Sequence, residues 1–305
     1  MRAPAAWSHV ALLGLVAASC ASRFPVDGAR AMERVRHQVS AGPRLPGTPP
    51  HAAVLHWMEA EMRRLGGRVE IQSATDSIEG RPLPLRNLIA HFGPDGAARI
   101  ALCAHWDTRP WCDQDPDSAH RNDPLPGAND GASGVAVLME VAELMHARPA
   151  RIGVDLVFLD GEDQGPSSHP DDYCLGARAY ARMAVALPPP RRPVAAFVFD
   201  MVGDRDLGIW PEVESAKRAA NLVDLVVDAA RETRAIHFHR EPRYTLTDDH
   251  IRLLDAGIPA VDIIDFDYPA WHTHLDLPSQ VSAASLAEVA GVAAWLVYEG
   301  PFGRR

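Results

Sequence analysis

Short apolar runs that each lead to a histidine or an aspartate are the feature of this chain that most constrains its fold. Residues 99–104 lead to His105, and residues 194–199 lead to Asp200. Apolar runs of about four to eight residues are typical of buried strands. In an open α/β sheet, ligands bind beyond the carboxyl ends of the strands. The pattern therefore predicts a sheet that brings these polar side chains to one edge.

Segments with helical periodicity alternate with these strands. We predict strands at residues 68–73, 85–92, 99–104, 154–159, 194–199 and 260–264. We predict the longer helices at residues 23–40, 48–65, 134–145, 175–185, 216–233 and 282–298. The alternation indicates the α/β class, as a three-layer α/β/α sandwich around one mixed, mostly parallel central sheet. No repeat or internal linker divides the chain, so we predict a single domain over residues 21–305.

Composition limits the classes of function. The 305 residues are 47% hydrophobic and 23% charged, which is ordinary for a soluble globular protein. A chain of this length buries a large core without disulfides or structural metals. The formal net charge of -10 argues against nucleic acid as a partner.

The first 20 residues are predicted to be a targeting segment. Arg2 precedes an apolar run at residues 10–18, which is too short to span a bilayer. Residues 17–20 resemble a bacterial lipoprotein box, with Cys20 as the lipidated first mature residue and Ala17 where leucine is usual. The alternative is a plain secretory signal cleaved nearby. Both predict an exported bacterial protein, either periplasmic or anchored to a membrane through a lipid on Cys20.

Three cysteines remain in the mature chain: Cys103, Cys112 and Cys174. An odd number leaves at least one free thiol, and no spacing indicates a zinc knuckle. Cys103 lies in an apolar run and is predicted to be a core residue. The sequence leaves open a bridge between Cys112 and Cys174 in an oxidising compartment.

A glycine-rich segment at residues 126–134 places Asp130 just before a predicted helix. A carboxylate there lies near free backbone N–H groups and is well placed to ligate a cation. Taken alone, Asp130 is better interpreted as a turn and cap residue. The other histidine and acidic residues that follow apolar runs change that interpretation. Imidazole and carboxylate ligands without cysteine suit a catalytic zinc with an open coordination position. The candidate ligands are His105, Asp130, Asp163, Asp200 and His272, and Glu162 is the candidate general base or acid.

Five motifs resemble, in order and spacing, those of the M28 zinc peptidase superfamily. They are His-x-Asp at 105–107, Gly-Ala-Asn-Asp-Gly-Ala-Ser-Gly at 127–134, Asp-Gly-Glu-Asp at 160–163, Phe-Asp-Met-Val-Gly at 199–203 and Trp-His-Thr at 271–273. Within that superfamily the chain is most similar to the bacterial zinc-dependent glutaminyl-peptide cyclotransferases, or glutaminyl cyclases. Three features carry this finer resemblance: Trp271 directly before His272, the Asp-Asp-His segment at 248–250, and the first motif as it extends from His105 to Asp115.

The resemblance implies a zinc aminopeptidase-like fold and one Zn²⁺ held by Asp130, Asp163 and His272. It implies Glu162 as the proton shuttle, supported by a carboxylate network that includes Asp200 and Asp248. Trp271 would line the substrate pocket. Independently of the resemblance, Trp106 is predicted either to line this pocket or to pack beneath the long loop at 108–128. The reaction implied is cyclisation of an N-terminal glutamine of peptides or proteins to pyroglutamate, with release of ammonia. Animal members carry Glu-Glu where this chain has Glu162-Asp163.

Two other functions are compatible with the sequence. A two-zinc aminopeptidase would use His105 and Asp200 for a second metal, with Asp130 bridging, and Glu162 would then activate water. A non-catalytic binding protein on the same fold would usually have lost ligands, whereas this set is complete. Asp107 is predicted to orient the ring of His105. His250 is predicted either to join the carboxylate network or to be an ordinary loop histidine.

Overall fold

One six-stranded sheet forms the centre of the computed structural model, which describes residues 24–166 and 168–303. Its strands are β1 (Arg68–Ile78), β2 (Arg81–Phe92), β3 (Arg99–His105), β4 (Gly153–Leu159), β5 (Ala195–Asp200) and β6 (Ala260–Ile264). The spatial order is β1-β2-β4-β3-β5-β6. β3 pairs in parallel with β4 and β5, and β5 pairs in parallel with β6, whereas β2 is antiparallel to β1 and β4. The predicted mixed, mostly parallel sheet is therefore confirmed.

Helices cover the sheet in two groups. They are α1 (Gly28–Ser40), α2 (Pro49–Arg64), α3 (Ala132–Ala147), α4 (Leu175–Ala186), α5 (Val213–Arg218), α6 (Ala220–Thr233), α7 (Asp249–Asp255) and α8 (Ala283–Tyr298). Helix α8 contacts α1, α3 and α6, while α4 packs on α7, and each group also contacts strands. This arrangement is the predicted α/β/α sandwich.

Two predicted elements differ from the structure. The helix predicted at 216–233 is broken at Ala219, whose φ of −142° lies outside the helical region, so that α5 and α6 are separate helices. No glycine or proline marks this break in the sequence. The first two strands are longer than predicted and form a hairpin turning at Glu79 and Gly80, where φ is positive. Its tip is half exposed, and therefore lacks the apolar pattern that marks a buried strand.

Helix α3 lies unusually close to the sheet. A Cβ on Gly134 would lie 2.2 Å from the carbonyl oxygen of Phe199 in β5, so only glycine fits there. Gly131, just before the helix, has a φ of 97°. Together the two glycines bring the amino terminus of α3, and with it Asp130, against the carboxyl ends of β3 and β5.

The disulfide that the sequence leaves open is absent from the described part of the chain. Cys103, Cys112 and Cys174 are all buried free thiols, so the bridge considered between Cys112 and Cys174 does not form. Cys20 and the predicted targeting segment lie outside the described residues. Among residues 24–166 and 168–303, the helices are all too short or too polar to cross a bilayer.

Candidate active site

The carboxyl edge of the parallel strands gathers the predicted ligands, as the sheet topology requires. His105 ends β3 and Asp200 ends the neighbouring strand β5. Their side chains meet, with His105 Nε2 3.0 Å from Asp200 Oδ1. Asp130 reaches the same place from the start of α3, and its Oδ1 lies 3.3 Å from His105 Nε2.

A second cluster joins Asp130 to Asp163 and His272. His272 Nε2 lies 3.3 Å from Asp163 Oδ2 and 3.6 Å from Asp130 Oδ2. One ligand atom from each residue lies within 4.8 Å of the others, and all three residues are buried. Asp163 Oδ2 has no hydrogen-bond partner among the described residues. A buried carboxylate oxygen without a partner is costly unless it binds something, so these residues fit a cation such as zinc.

Asp130 belongs to both clusters, because it offers Oδ1 to His105 and Oδ2 to His272. The two clusters differ in one respect. His105 Nε2 and Asp200 Oδ1 are within hydrogen-bond distance of each other, whereas Asp163 Oδ2 accepts no hydrogen bond from the described residues and has only the ring of His272 beside it at 3.3 Å. Burial alone would lower the pKa of His105, but the carboxylates led by Asp200 raise that pKa well above its ordinary value.

Glu162 contacts a different set of groups from Asp163. The Cys174 thiol donates a hydrogen bond to Glu162 Oε1 at 3.3 Å, and Asp248 lies in the same buried cluster. Burial, followed by the charge of Asp163, raises the pKa of Glu162 well above its usual range. Burial also raises the pKa of Asp248 to about 6. Glu162 is thus a carboxyl group able to hold a proton as well as to release one.

Two further buried acidic groups lie near Asp248: Asp249, from the Asp-Asp-His segment at 248–250, and Asp262, which the sequence analysis did not single out. Asp249 begins α7 and Asp262 lies in β6, and burial raises the pKa of both well above the ordinary value. His250 is buried between Glu212 and Asp262, with Nε2 3.0 Å from Glu212 and Nδ1 3.4 Å from Asp262. It is therefore part of this cluster and not a solvated loop histidine. An aspartate inside the apolar run of residues 260–264 was the available signal.

Two other aspartates hold the backbone of the site in place. Asp107 lies 3.7 Å from His105 Nδ1, and it also accepts hydrogen bonds from the backbone N–H groups of Glu162 and Asp163. Asp276, which the sequence analysis missed, accepts from the N–H of Asp130 at 3.1 Å. These contacts fix the loops from which the ligands project.

A cavity of about 320 Å³ opens over the two clusters. Apolar side chains of Met201, Leu246, Ile264, Phe266 and Trp271 line one part of it, and Asp130, Glu162, Asp163, Asp200, Asp248 and His272 line another. The Trp271 ring stacks on His272 with centroids 4.0 Å apart and meets Phe266 edge-on at 4.9 Å. A small cavity that combines apolar walls with convergent polar groups is typical of a binding site for a small ligand or chain end.

Trp106 does not take part in this cavity. Its side chain has no exposed surface, its ring stacks on His51 at 4.1 Å, and its Nε1 donates to the carbonyl of Arg86. The prediction that Trp106 binds substrate is corrected here, because a completely buried ring offers no face to a ligand. Its ring packs instead against α2 and β2, through His51 and Arg86.

The fold and the two clusters together define the class: a zinc aminopeptidase-like α/β protein with a buried His/Asp site suited to a metal ion. The family model of Peptidase family M28 matches residues 87–297. This match covers more than half of the chain, and the chain therefore belongs to peptidase family M28.

Similar proteins include glutaminyl cyclases. The glutaminyl-peptide cyclotransferase-like protein of Bos taurus is 27% identical over 258 residues, which cover 76% of this chain and 66% of the bovine protein, or just under two thirds of its length. The crystal structure of a Bacteroides thetaiotaomicron glutaminyl cyclase bound to N-acetylhistamine is similar with a TM-score of 0.84 and 33% identity, over 90% of this chain and 98% of that chain.

The structure of an exopeptidase is equally similar. A Zn-dependent exopeptidase from Parabacteroides distasonis has a TM-score of 0.84 and 32% identity, again over 90% of this chain and 98% of that chain. The resemblance to the M28 superfamily and to bacterial glutaminyl cyclases, which the motifs indicated, is confirmed by these relatives. They also include a protein described as a peptidase, so both reactions need to be weighed.

Proposed function

We propose that this protein is a glutaminyl-peptide cyclotransferase, which converts the N-terminal glutamine of peptides or proteins to pyroglutamate and releases ammonia. One observation carries the choice between one and two metals. His105 and Asp200 are paired with each other at 3.0 Å, while Asp163 Oδ2, which accepts no hydrogen bond from the described residues, belongs to the cluster with Asp130 and His272. This asymmetry favours a single metal site, and the cyclase relatives support the same reaction.

Different residues bind the metal and transfer the proton in this reaction. Zinc held by Asp130, Asp163 and His272 would act as a Lewis acid on the γ-carboxamide oxygen. Glu162 takes a proton from the attacking α-amine and delivers it to the departing nitrogen. Its raised pKa suits both steps, because the group must first accept the proton and then give it up.

The cavity contributes by holding the substrate in shape. Attack of the substrate's own amine on its side chain is intramolecular, and a site that holds the near-attack conformer gains from proximity. Trp271 and Phe266 form an apolar wall beside the ligands and exclude water from the reacting groups. Exclusion of water also strengthens the electrostatic interactions inside the cavity.

The test uses the purified mature protein with a Gln-initiated and a Leu-initiated peptide, both followed by mass spectrometry. We expect the Gln peptide to lose one ammonia, this loss to stop after chelation, and zinc to restore it. A sample without the protein measures the background of spontaneous cyclisation. Zinc-bound protein that leaves both peptides unchanged would overturn the proposal and favour a binding protein.

The second candidate is a two-zinc aminopeptidase. The observation that favours it is the position of Asp130, whose two oxygens face His105 and His272 separately, as a bridging ligand would. In this case Glu162 activates water for hydrolysis. The same assay separates the reactions, since an aminopeptidase shortens a peptide by its first residue and releases that residue in place of ammonia.

We also propose that residues 1–20 direct export, that Cys20 carries a lipid, and that residues 21–305 form one catalytic domain in the periplasm. The short apolar run and the lipoprotein box support this. Fractionation of cells that produce the wild-type chain or Cys20→Ser tests it. Membrane association that the substitution does not change would contradict lipidation of Cys20.

A further inference from the structure

The long loop at residues 108–128 carries a guanidinium group into the interior beside the candidate metal ligands. The side chain of Arg109 has no exposed surface. Its charged end lies 5.3 Å from the ring centroid of Trp111 and 5.5 Å from that of Tyr173. These two rings hold the guanidinium by packing and by cation–π attraction. Packing against these rings therefore holds the arginine in addition to its polar contacts.

The first polar contact of Arg109 is with Asp163. Arg109 Nη1 donates to Asp163 Oδ1 at 2.7 Å and also to the carbonyl oxygen of Gly165 at 3.1 Å. Asp163 Oδ1 is thus occupied, while Oδ2 faces His272 Nε2 at 3.3 Å. This arrangement restricts Asp163 to ligation through one oxygen and sets the direction of that oxygen.

The second contact extends to another ligand. Arg109 Nε and Nη2 both donate to Asp113, to Oδ1 and Oδ2 respectively, each at 2.8 Å. Asp113 Oδ1 in turn lies 3.2 Å from His272 Nδ1. A carboxylate beside this nitrogen favours the tautomer with the proton on Nδ1, which would leave the lone pair of Nε2 available to a metal ion.

We propose that Arg109 is a positioning residue that presets two of the three metal ligands, Asp163 directly and His272 through Asp113. The inference rests on the proposed metal site at Asp130, Asp163 and His272, but it is independent of whether the site cyclises or hydrolyses its substrate. Lysine cannot replace this arginine, because a single ammonium does not reproduce the planar fork that binds two carboxylates at once.

The test is Arg109→Lys, with Arg99→Lys as its matched control. Arg99 is also a buried arginine paired with one carboxylate, with Nη1 2.5 Å from Asp155 Oδ1. It begins the seven-residue strand that ends at His105, so it lies about 20 Å from the site. Both variants lose a buried guanidinium, but only one of these groups contacts the ligands.

The measurement is zinc affinity by competition with a chelator, together with the absorption spectrum of the Co²⁺-substituted protein. We expect Arg109→Lys to bind zinc about 10- to 100-fold more weakly and to change the Co²⁺ spectrum. We expect Arg99→Lys to match the wild type in both. A purely structural role for Arg109 would lower the thermal stability of the metal-free protein and leave both readouts unchanged, and that result would overturn the proposal.

A second variant, Asp113→Asn, keeps Arg109 and the volume of the side chain but removes the charge that faces His272. We expect it also to weaken zinc binding, and we expect its effect and that of Arg109→Lys to be less than additive in the double variant, since both break one chain of contacts. Full additivity would contradict a shared chain. Wild-type protein that binds no zinc would overturn the metal site and this inference together, whereas absence of cyclase activity with zinc bound would affect only the proposed function.

Discussion

Glu162 and Asp163 are neighbours in the sequence, yet their side chains contact different groups. The Asp163 carboxylate lies between Arg109 and His272, and the Glu162 carboxyl lies beside Cys174 and Asp248. Both residues lie in the loop after β4, where their side chains make different contacts. This difference would let one residue of the pair move protons while the other holds a metal, as we propose.

At the residue scale, we predict that Glu162→Gln lowers kcat by about 10²- to 10⁴-fold, because the amide cannot accept the proton that the reaction moves. Zinc content measured in the same samples is expected to stay at the wild-type level, since Glu162 is not one of the proposed ligands. Glu33→Gln on the exposed face of α1 serves as the control. Turnover close to wild type in Glu162→Gln would show that another group carries the proton, under either reaction.

At the element scale, α1 is attached to α3 through one buried carboxylate. Glu140 is completely buried in α3 and accepts from Arg30 Nε at 2.8 Å, from the backbone N–H of Asp27 at 3.0 Å, and from Arg34. Asp27 lies just before α1, and Arg30 and Arg34 lie within it. The helix therefore has both a charged and a packed connection to the layer that carries Asp130.

We predict that Glu140→Ala lowers the free energy of unfolding by about 3–5 kcal/mol, because it leaves two cationic side chains without their buried partner. Glu33→Ala removes an exposed pair with Arg36 from the same helix and is expected to cost less than about 1 kcal/mol. Urea unfolding of both variants measures this difference. Equal stabilities would mean that α1 is held by apolar packing alone.

At the scale of the whole molecule, the buried acids make stability depend on pH. Burial raises the pKa of Asp265, which follows β6, from 3.8 to about 7. Between these two values the unfolded chain has lost this proton and the folded chain still holds it. Stability therefore falls as pH rises through this range, by up to about 1.4 kcal/mol per pH unit for this group. Below the unfolded pKa the penalty is absent.

We predict that Asp265→Asn removes this contribution, since an amide stays uncharged at every pH. Relative to the wild type, the variant is expected to gain stability as pH rises from 5 to 8, whatever its constant cost from losing hydrogen bonds to Gly208 and Asp267. Urea unfolding at several pH values measures this difference, and Asp95→Asn at an exposed turn is the control. A difference that stays flat between pH 5 and 8 would contradict the buried, raised pKa of Asp265.

The sequence by itself determined the class of fold and the family, and it predicted the candidate ligands that the structure brings together. Apolar runs that end on His105 and Asp200 specify strands and their carboxyl ends, and parallel strands bring those ends to one edge of a sheet. The glycine-rich segment around Asp130 likewise places this residue just before α3, because a turn followed by helical periodicity is also a local signal. These features follow from short-range periodicity and from strand direction, which a single chain records directly.

Only the tertiary structure decided which side chains surround the site. Arg109, Asp276 and Asp262 belong to it, whereas Trp106 proved to be a buried packing residue and the Cys112–Cys174 bridge is absent. These outcomes depend on long-range approach, such as that of Asp276 to Asp130, which lies 146 residues away in sequence. Local periodicity does not encode where distant loops meet, because that depends on how all the layers pack together.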